Sequence, residues 1–326
     1  MKILIKVQSP EEIDIRIDKF ISSFHKIKNL GFSRTFIQNM IKNGEVFKNS
    51  IVFTDINYKT KIDDEFLIDL PEKKELEKIK PNKIPLNIIY EDDDLIVINK
   101  QAGLTVHPGA GNDKNTLVNS LMDLYGDNLS DMGDETRRGI LHRLDKDTTG
   151  LMVIAKNNKA HILLAQQLEE RELKRNYIAF IWKTLSPRKG LIELNMDRCK
   201  GNHQKMEVRE DGRYSKSNYE IKETYANRSV SKVIFELDTG RTHQIRLHCA
   251  SKGCPLIGDK MYGGTSRHLK AIYPQDVRDF VDIFPRQALH SFRIKFFQPI
   301  TGEPLSFETE LPEDMRELEN VLKKLK

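Results

Sequence analysis

Apolar residues in the first 70 positions change their spacing several times. Ile13, Ile15 and Ile17 alternate, and in "RIDKFISSF" Ile17, Phe20, Ile21 and Phe24 share one helical stripe. "SRTFIQNMIKNG" predicts a second helix. Phe36, Ile37, Met40 and Ile41 form its apolar face, Ser33 stands as N-cap and Gly44 as terminator. Three short β-like runs follow: "EVFKN", "IVFT" and "EFLIDL". Two helices and a small sheet make a compact first module. Its expected bounds are residues 1–72.

Charge then takes over. "EKKELEKIKPNKIP", with Pro81 and Pro85, predicts a linker over about residues 73–84. Beyond it, "IIYEDDDLIVINK" predicts two strands around an acidic turn, and "GLTVHPGAG" a loop. "NNKAHILLAQQLEERELK" predicts a helix capped by Asn157 or Asn158. "NYIAFIW" is a buried-strand pattern, and Val233, Phe235 and Leu237 alternate in another strand. "THQIRLHCASKG" predicts a short helix with Thr242 as N-cap and Gly253 just past its end. "RQALHSFRIKFFQP" predicts a further strand, and 126–138 and 264–287 read as loops that could order on a ligand. Strands outnumber helices without regular alternation. The expected class is therefore α+β, with a largely antiparallel sheet over residues 85–326.

Composition narrows the function less than position does. Lys and Arg outnumber Asp and Glu by only 53 to 48, so overall charge permits a nucleic-acid partner without demanding one. Locally the balance is sharper. Lys26, Lys28, Arg34, Lys42 and Lys48 face only Glu45 across residues 24–48, a basic helix-turn-helix suited to phosphates. Cys199, Cys249 and Cys254 are too few for a disulfide framework, and with His248 they do not make a recognised zinc spacing. "MKILIKVQSPEE" meets charge too early for a signal peptide, and no apolar run approaches the roughly 20 residues of a membrane span. A cytoplasmic protein without membrane segments is expected.

The most informative stretch is "GILHRLDKDTTGLMVIAKN", where Asp145 and Asp147 lie among Arg137, Arg138, His142, Arg143 and Lys146. Residues alone leave three readings. "DKDTT" fits the DxDx[TV] pattern of aspartate phosphatases, but that pattern ends a buried parallel strand, and "RRGILHR" is a poor one. A surface ion pair is the plainest reading. The third is a nucleophilic carboxylate. It would have to be ionised in a pocket, where burial favours the neutral acid and a close cation restores the charge. Arg241 and Arg246 are candidates for that cation, and Arg246 shares a helical face with His243.

Resemblance separates these readings. "HRLDKDTTGLMVIAKN", "RNYIAF", "TGRTHQIRLHCASKGCPLIGDKMYGG" and "RQALHSFRIKFFQPITGEP" resemble, in order, the motifs of the RluA-type pseudouridine synthases. "RIDKFISSF…SRTFIQNMIKNGEVFKN" resembles the small RNA-binding domain named after ribosomal protein S-four, with "FKN" where that family usually has "VNG". Gln101 replaces a usual Pro in a loop. The likeness implies the pseudouridine synthase fold and an isomerase of RNA uridines that needs no cofactor or metal and works as a monomer. Its nearest members act on 23S ribosomal RNA, so the implied partner is large-subunit ribosomal RNA or its precursor. Sister enzymes acting on other rRNA or tRNA uridines, and a non-catalytic ribosome-assembly factor, are the alternatives. The likeness implies Asp145 as nucleophile or base, Tyr177 stacked on the target uracil and Arg246 paired with Asp145. Arg143 would hold the base out of its stack, because the sugar is unreachable inside a helix. His142, Lys26, Arg34 and Lys42 are the remaining expected RNA-side residues, His142 being expected to support the loop rather than transfer protons.

Overall fold

The computed structural model describes residues 2–24, 27, 34–70, 79–108, 114–132, 135–264 and 274–324, without the side chains of 34, 35 and 135. The chain divides into two compact units: residues 1–80 with 131–138, and 81–130 with 139–326.

In the first unit, β1 (Lys2–Lys6) precedes α1 (Ile17–Ser23) and α2 (Arg34–Lys42), then β2 (Val46–Lys48), β3 (Ile51–Val52) and β4 (Glu65–Asp69). The sheet is antiparallel, in the order β1-β4-β2-β3. The predicted helical stripes form its core: Ile17, Phe20 and Ile21 of α1 and Ile37, Met40 and Ile41 of α2 are buried with Ile5, Val46 and Phe66. Asp18 is buried too, its charge met by Arg16 and its oxygen by the Gln38 amide of the facing helix. The N-terminal "KILIK", weighed in sequence only as a leader, is the edge strand β1, with Ile3 and Ile5 inward. Ser33 lies outside the described residues.

The second unit holds one ten-stranded sheet. In chain order its elements are β5 (Asn87–Glu91), β6 (Leu95–Lys100), α3 (Leu117–Tyr125), β7 (Thr149–Ala155), α4 (Asn158–Glu169), β8 (Lys174–Trp182), β9 (Lys189–Cys199), β10 (Asn202–Val208), β11 (Arg213–Tyr225), β12 (Val230–Leu237), α5 (Gln244–Ser251), α6 (Gln275–Asp282), β13 (Leu289–Phe297), β14 (Pro304–Glu308) and α7 (Glu313–Lys323). The strand order is β10-β9-β11-β12-β8-β13-β7-β6-β5, with β14 on β13. Among the described residues β13 and β7 form the one parallel pair, so the sheet is mixed but largely antiparallel. β7 is buried along its whole length, as a central strand covered on both faces must be.

Gly150 makes the parallel contact possible. Its φ is +117°, and a Cβ there would stand 2.2 Å from the Ser291 carbonyl oxygen. Only glycine lets β7 pass so close to β13. Asn157 caps α4 by accepting from the Ala160 N–H at 2.9 Å, as the sequence predicts. Two expectations change. Residues 275–282, expected within a loop, form the amphipathic α6, whose Val277 and Val281 pack on Met315, Leu318 and Leu322 of α7. Of the predicted linker, 73–78 lie outside the described residues, while Asn82 is bonded to Asn119 and Ile84 to Ser120 of α3.

Candidate active site

Asp145 sits in the turn that leads into β7, and the turn is fixed from behind. The buried Lys100 ammonium donates to the carbonyls of Gln101, Leu104 and, at 3.0 Å, Lys146. Arg286 donates to the Asp147 carbonyl at 3.1 Å, and Gln287 to the Thr148 hydroxyl at 3.0 Å. The Thr148 N–H closes the turn onto the Asp145 carbonyl. Burial brings Lys100 down to about 7, against the pull of the Asp145 and Asp147 carboxylates. Both aspartates precede a strand instead of ending one, so the phosphatase arrangement is not formed.

α5 brings up the cation. Arg246 is buried and donates from Nη1 to Asp145 Oδ2 at 3.0 Å. Its other edge, Nε and Nη2, grips Asp259 at 2.7 and 3.0 Å. Burial pulls its pKa down, but the two carboxylates outweigh it and the net shift is upward. Asp259 is itself buried and accepts from the N–H groups of Met261 and Tyr262. The Tyr262 ring lies under the guanidinium, 5.2 Å from ring centre to Cζ. The helix starts one residue later than predicted. His243, not Thr242, is its N-cap, in a left-handed conformation with φ 54°. His243 stands 3.9 Å from Asp145 and its Nδ1 lies 3.1 Å from the Tyr262 hydroxyl. Burial lowers its pKa despite the nearby Asp145, so at neutral pH it faces the carboxylate uncharged.

β8 supplies the opposite wall. Tyr177 and Arg175 alternate with the strand and both line the pocket beside Asp145, with Arg143, Thr148, Leu237, Arg241 and Leu289. Burial raises the Tyr177 phenol, which stays protonated. Arg143 is exposed at the rim, 3.2 Å from His107. Arg241 is also exposed and donates to the Tyr214 carbonyl.

Asp145, Tyr177, Arg246 and Arg143 thus meet at one cavity. His142 does not reach it as an RNA contact. Its ring is buried, Nε2 accepts the Val153 N–H at 3.2 Å, and burial with the Arg175 charge takes its pKa to about 3. It is a neutral brace for the turn. Lys42 is exposed at the end of α2; Lys26 and the Arg34 side chain lie outside the described residues. Lys48 leaves the expected basic face, turning onto Asp64 at 2.7 Å. Among the described residues no cluster suited to a metal ion is found, and no helix is long and apolar enough to cross a membrane.

Comparison with known proteins bears on this geometry. Residues 94–251, which contain Asp145, Tyr177 and Arg246, match the family model described as RNA pseudouridylate synthase. An uncharacterized RNA pseudouridine synthase of Bacillus subtilis is 38% identical over 97% of this chain and 97% of its own. The chain belongs to the RNA pseudouridine synthases. Ribosomal large subunit pseudouridine synthase D of Zymomonas mobilis is 37% identical over 96% of this synthase and 95% of its own length. A solved structure, human RNA pseudouridylate synthase domain containing 4, covers 73% of the synthase and 93% of its own chain with a TM-score of 0.54; at 22% identity it speaks for the shared fold alone.

Sequence reasoning missed Asp259, Tyr262, Lys100 and Arg175. Asp259 and Tyr262 stand in the quoted "CPLIGDKMYGG", but nothing in that string says which cation or ring they serve. Lys100 looks like an ordinary strand-end lysine until it is found buried.

Proposed function

We propose that this synthase converts specific uridines of 23S ribosomal RNA into pseudouridine, with Asp145 acting on the ribose. The observation that carries the reading is the Arg246–Asp145 contact at 3.0 Å in a pocket walled by Tyr177. It supports a carboxylate oriented by one charge-assisted hydrogen bond through Oδ2, its second oxygen left for chemistry. Extensive identity to relatives named as large-subunit ribosomal synthases supports the choice of RNA. In this mechanism the target nucleotide leaves its stack, its base lies against Tyr177 and Arg143 occupies the vacated side. Asp145 either attacks ribose carbon one or removes the proton from carbon two. The N1 glycosidic bond breaks, the uracil turns, and ring carbon five bonds to the sugar. In the second route carbon two takes its proton back from Asp145 as carbon five bonds to carbon one; in both, carbon five loses a proton and N1 gains one, so product and substrate are isomers.

Residues 1–72 are proposed as an S-four-type RNA-binding module joined by a linker at 73–84. Deleting them should weaken RNA binding and flatten its salt dependence while sparing the single-turnover rate at saturation. The main test is to map pseudouridines in 23S rRNA and tRNA from cells with and without the protein. Loss of specific 23S sites is expected. Loss of tRNA sites alone would reassign the substrate, and no loss would refute the reading.

A further inference from the structure

Among the described residues Arg175 has no ionic partner. It is 5% exposed, on the face of β8 that also carries Tyr177, and it lines the Asp145 pocket. Its Nε is buried without a hydrogen-bond partner, and no ion pair reaches it among the described residues. The nearby carboxylates are committed elsewhere: Asp145 and Asp259 to Arg246, Glu236 to Lys174 and Asn176, Asp238 to Lys216 and Asn218. Gly240 makes room for it, since a Cβ there would stand 2.7 Å from Arg175 Nη1. Burial lowers its pKa, yet a guanidinium stays charged at any pH the protein meets.

An uncompensated buried cation is costly, and an apolar side chain of similar length would serve the strand better. A charge kept at such cost, and facing a binding pocket, is matched when something negative enters. Rim arginines Arg143 and Arg241 are the exposed cations of the pocket, better placed for backbone phosphates. Arg175 lies two residues from Tyr177 on the same strand face, about 6.6 Å along the strand. A donor that reaches an exocyclic oxygen of a base stacked on Tyr177 stands about 5.5 Å from the centre of that base, counting the carbonyl bond and one hydrogen bond, so a side chain two residues along the strand is within reach.

Building on the proposed uridine isomerisation, we propose that Arg175 is a catalytic residue that donates to an exocyclic oxygen of the target uracil and stabilises the base as an anion once it is detached. When the N1–C1′ bond breaks, its electron pair stays with the base, and the charge spreads over N1 and the two carbonyl oxygens. The sugar is balanced by the Asp145 oxygen bonded to C1′, or by loss of the C2′ proton to Asp145. The charge disappears when carbon five rejoins the sugar, with the Asp145 bond to C1′ broken or the C2′ proton returned from Asp145, after which the carbon-five proton leaves and N1 is protonated. Arg175 therefore interacts most strongly when the base is free, which is where a barrier is lowered.

The test uses the full-length protein, transcribed 23S rRNA, and the variants Arg175→Met and Arg175→Lys. Arg175→Met should lose about 100-fold or more in single-turnover rate at saturating RNA. Its RNA Kd should stay within about threefold of wild type, because phosphate contacts set affinity. Its Tm should equal or exceed that of wild type, because a desolvated charge has been removed. Arg175→Lys should recover part of the rate, keeping charge but losing the planar fork. A weaker Kd with a shallower salt slope and unchanged saturated rate would make Arg175 a phosphate contact and overturn the proposal. A lowered Tm with Lys no better than Met would make it structural. Wild-type protein that forms no pseudouridine in 23S or tRNA transcripts would instead refute the parent function.

Discussion

Asp259 takes two of the guanidinium nitrogens of Arg246 and leaves the third for Asp145. The arginine fork thus belongs to the buried Asp259, and Asp145, the carboxylate proposed to react, receives a single bond. Asp259→Asn should therefore slow turnover by about 10- to 100-fold, through misplacement of Arg246, with RNA affinity kept. Arg246→Lys should fall well below wild type and above Arg246→Ala, since one ammonium cannot hold both carboxylates in that geometry. Single-turnover rates beside RNA Kd values check both. An Asp259→Asn variant with wild-type rate would remove the anchoring role.

Asp145→Asn should abolish turnover, at least about 10³-fold, because shape is retained while the reacting oxygen loses its charge. Fold and RNA affinity should be nearly unchanged. Pseudouridine release assays, with thermal melting as control, read this directly; a substantial residual rate sinks the assignment of Asp145.

Gly150→Ala should destabilise the protein by about 2 kcal/mol or more, combining a disfavoured φ with a clash against the Ser291 backbone. Because Gly150 follows the Asp145 turn, activity at permissive temperature should fall as well. Denaturant unfolding measures the first effect. An unaltered midpoint would mean that β7 and β13 can separate at no cost.

Three buried histidines make stability depend on acid. Burial takes His142 to about 3 and both His248 and His290 to about 4. Each folded value lies below the unfolded one near 6.5, so the unfolded chain binds protons first. Their contribution is complete above about pH 6.5 and is lost as pH falls towards 4 and 3. The slope should reach at most about 1.4 kcal/mol per pH unit per histidine. His142→Gln should flatten the Tm–pH curve between 4 and 6.5 even if it lowers Tm overall. An unchanged slope would mean that His142 is protonated in the folded state.

Local physics was legible where a residue's neighbours in sequence are also its neighbours in space. The stripe of Ile37, Met40 and Ile41, the Asn157 cap and the β8 strand depend on contacts within a turn or a ladder, and the structure carries all three. Thr242 illustrates the limit. Its type suits an N-cap, but the left-handed His243 takes the position, and Gln244 accepts from the Arg241 N–H and donates to the Lys216 carbonyl. The helix start was set by that contact with the preceding hairpin, which residue preference does not register.

By itself the sequence carried the α+β class and the motif that holds Asp145, because periodicity and long motifs are properties of the chain, but it left both Arg241 and Arg246 as candidate cations, and only the resemblance preferred Arg246. Only the tertiary structure decided which groups lost their water. The same lysine, histidine or arginine is a solvated charge in one fold and a buried brace or an unmatched cation in another. Burial made Lys100 a clamp on the Lys146 carbonyl, left His142 only the loop-supporting one of its two expected places, and left Arg175 facing the pocket without a counter-charge among the described residues. The positions responsible for that burial, Gly240 against Arg175 and Asp259 against Arg246, lie 65 and 13 residues away along the chain, a relation that spacing does not encode.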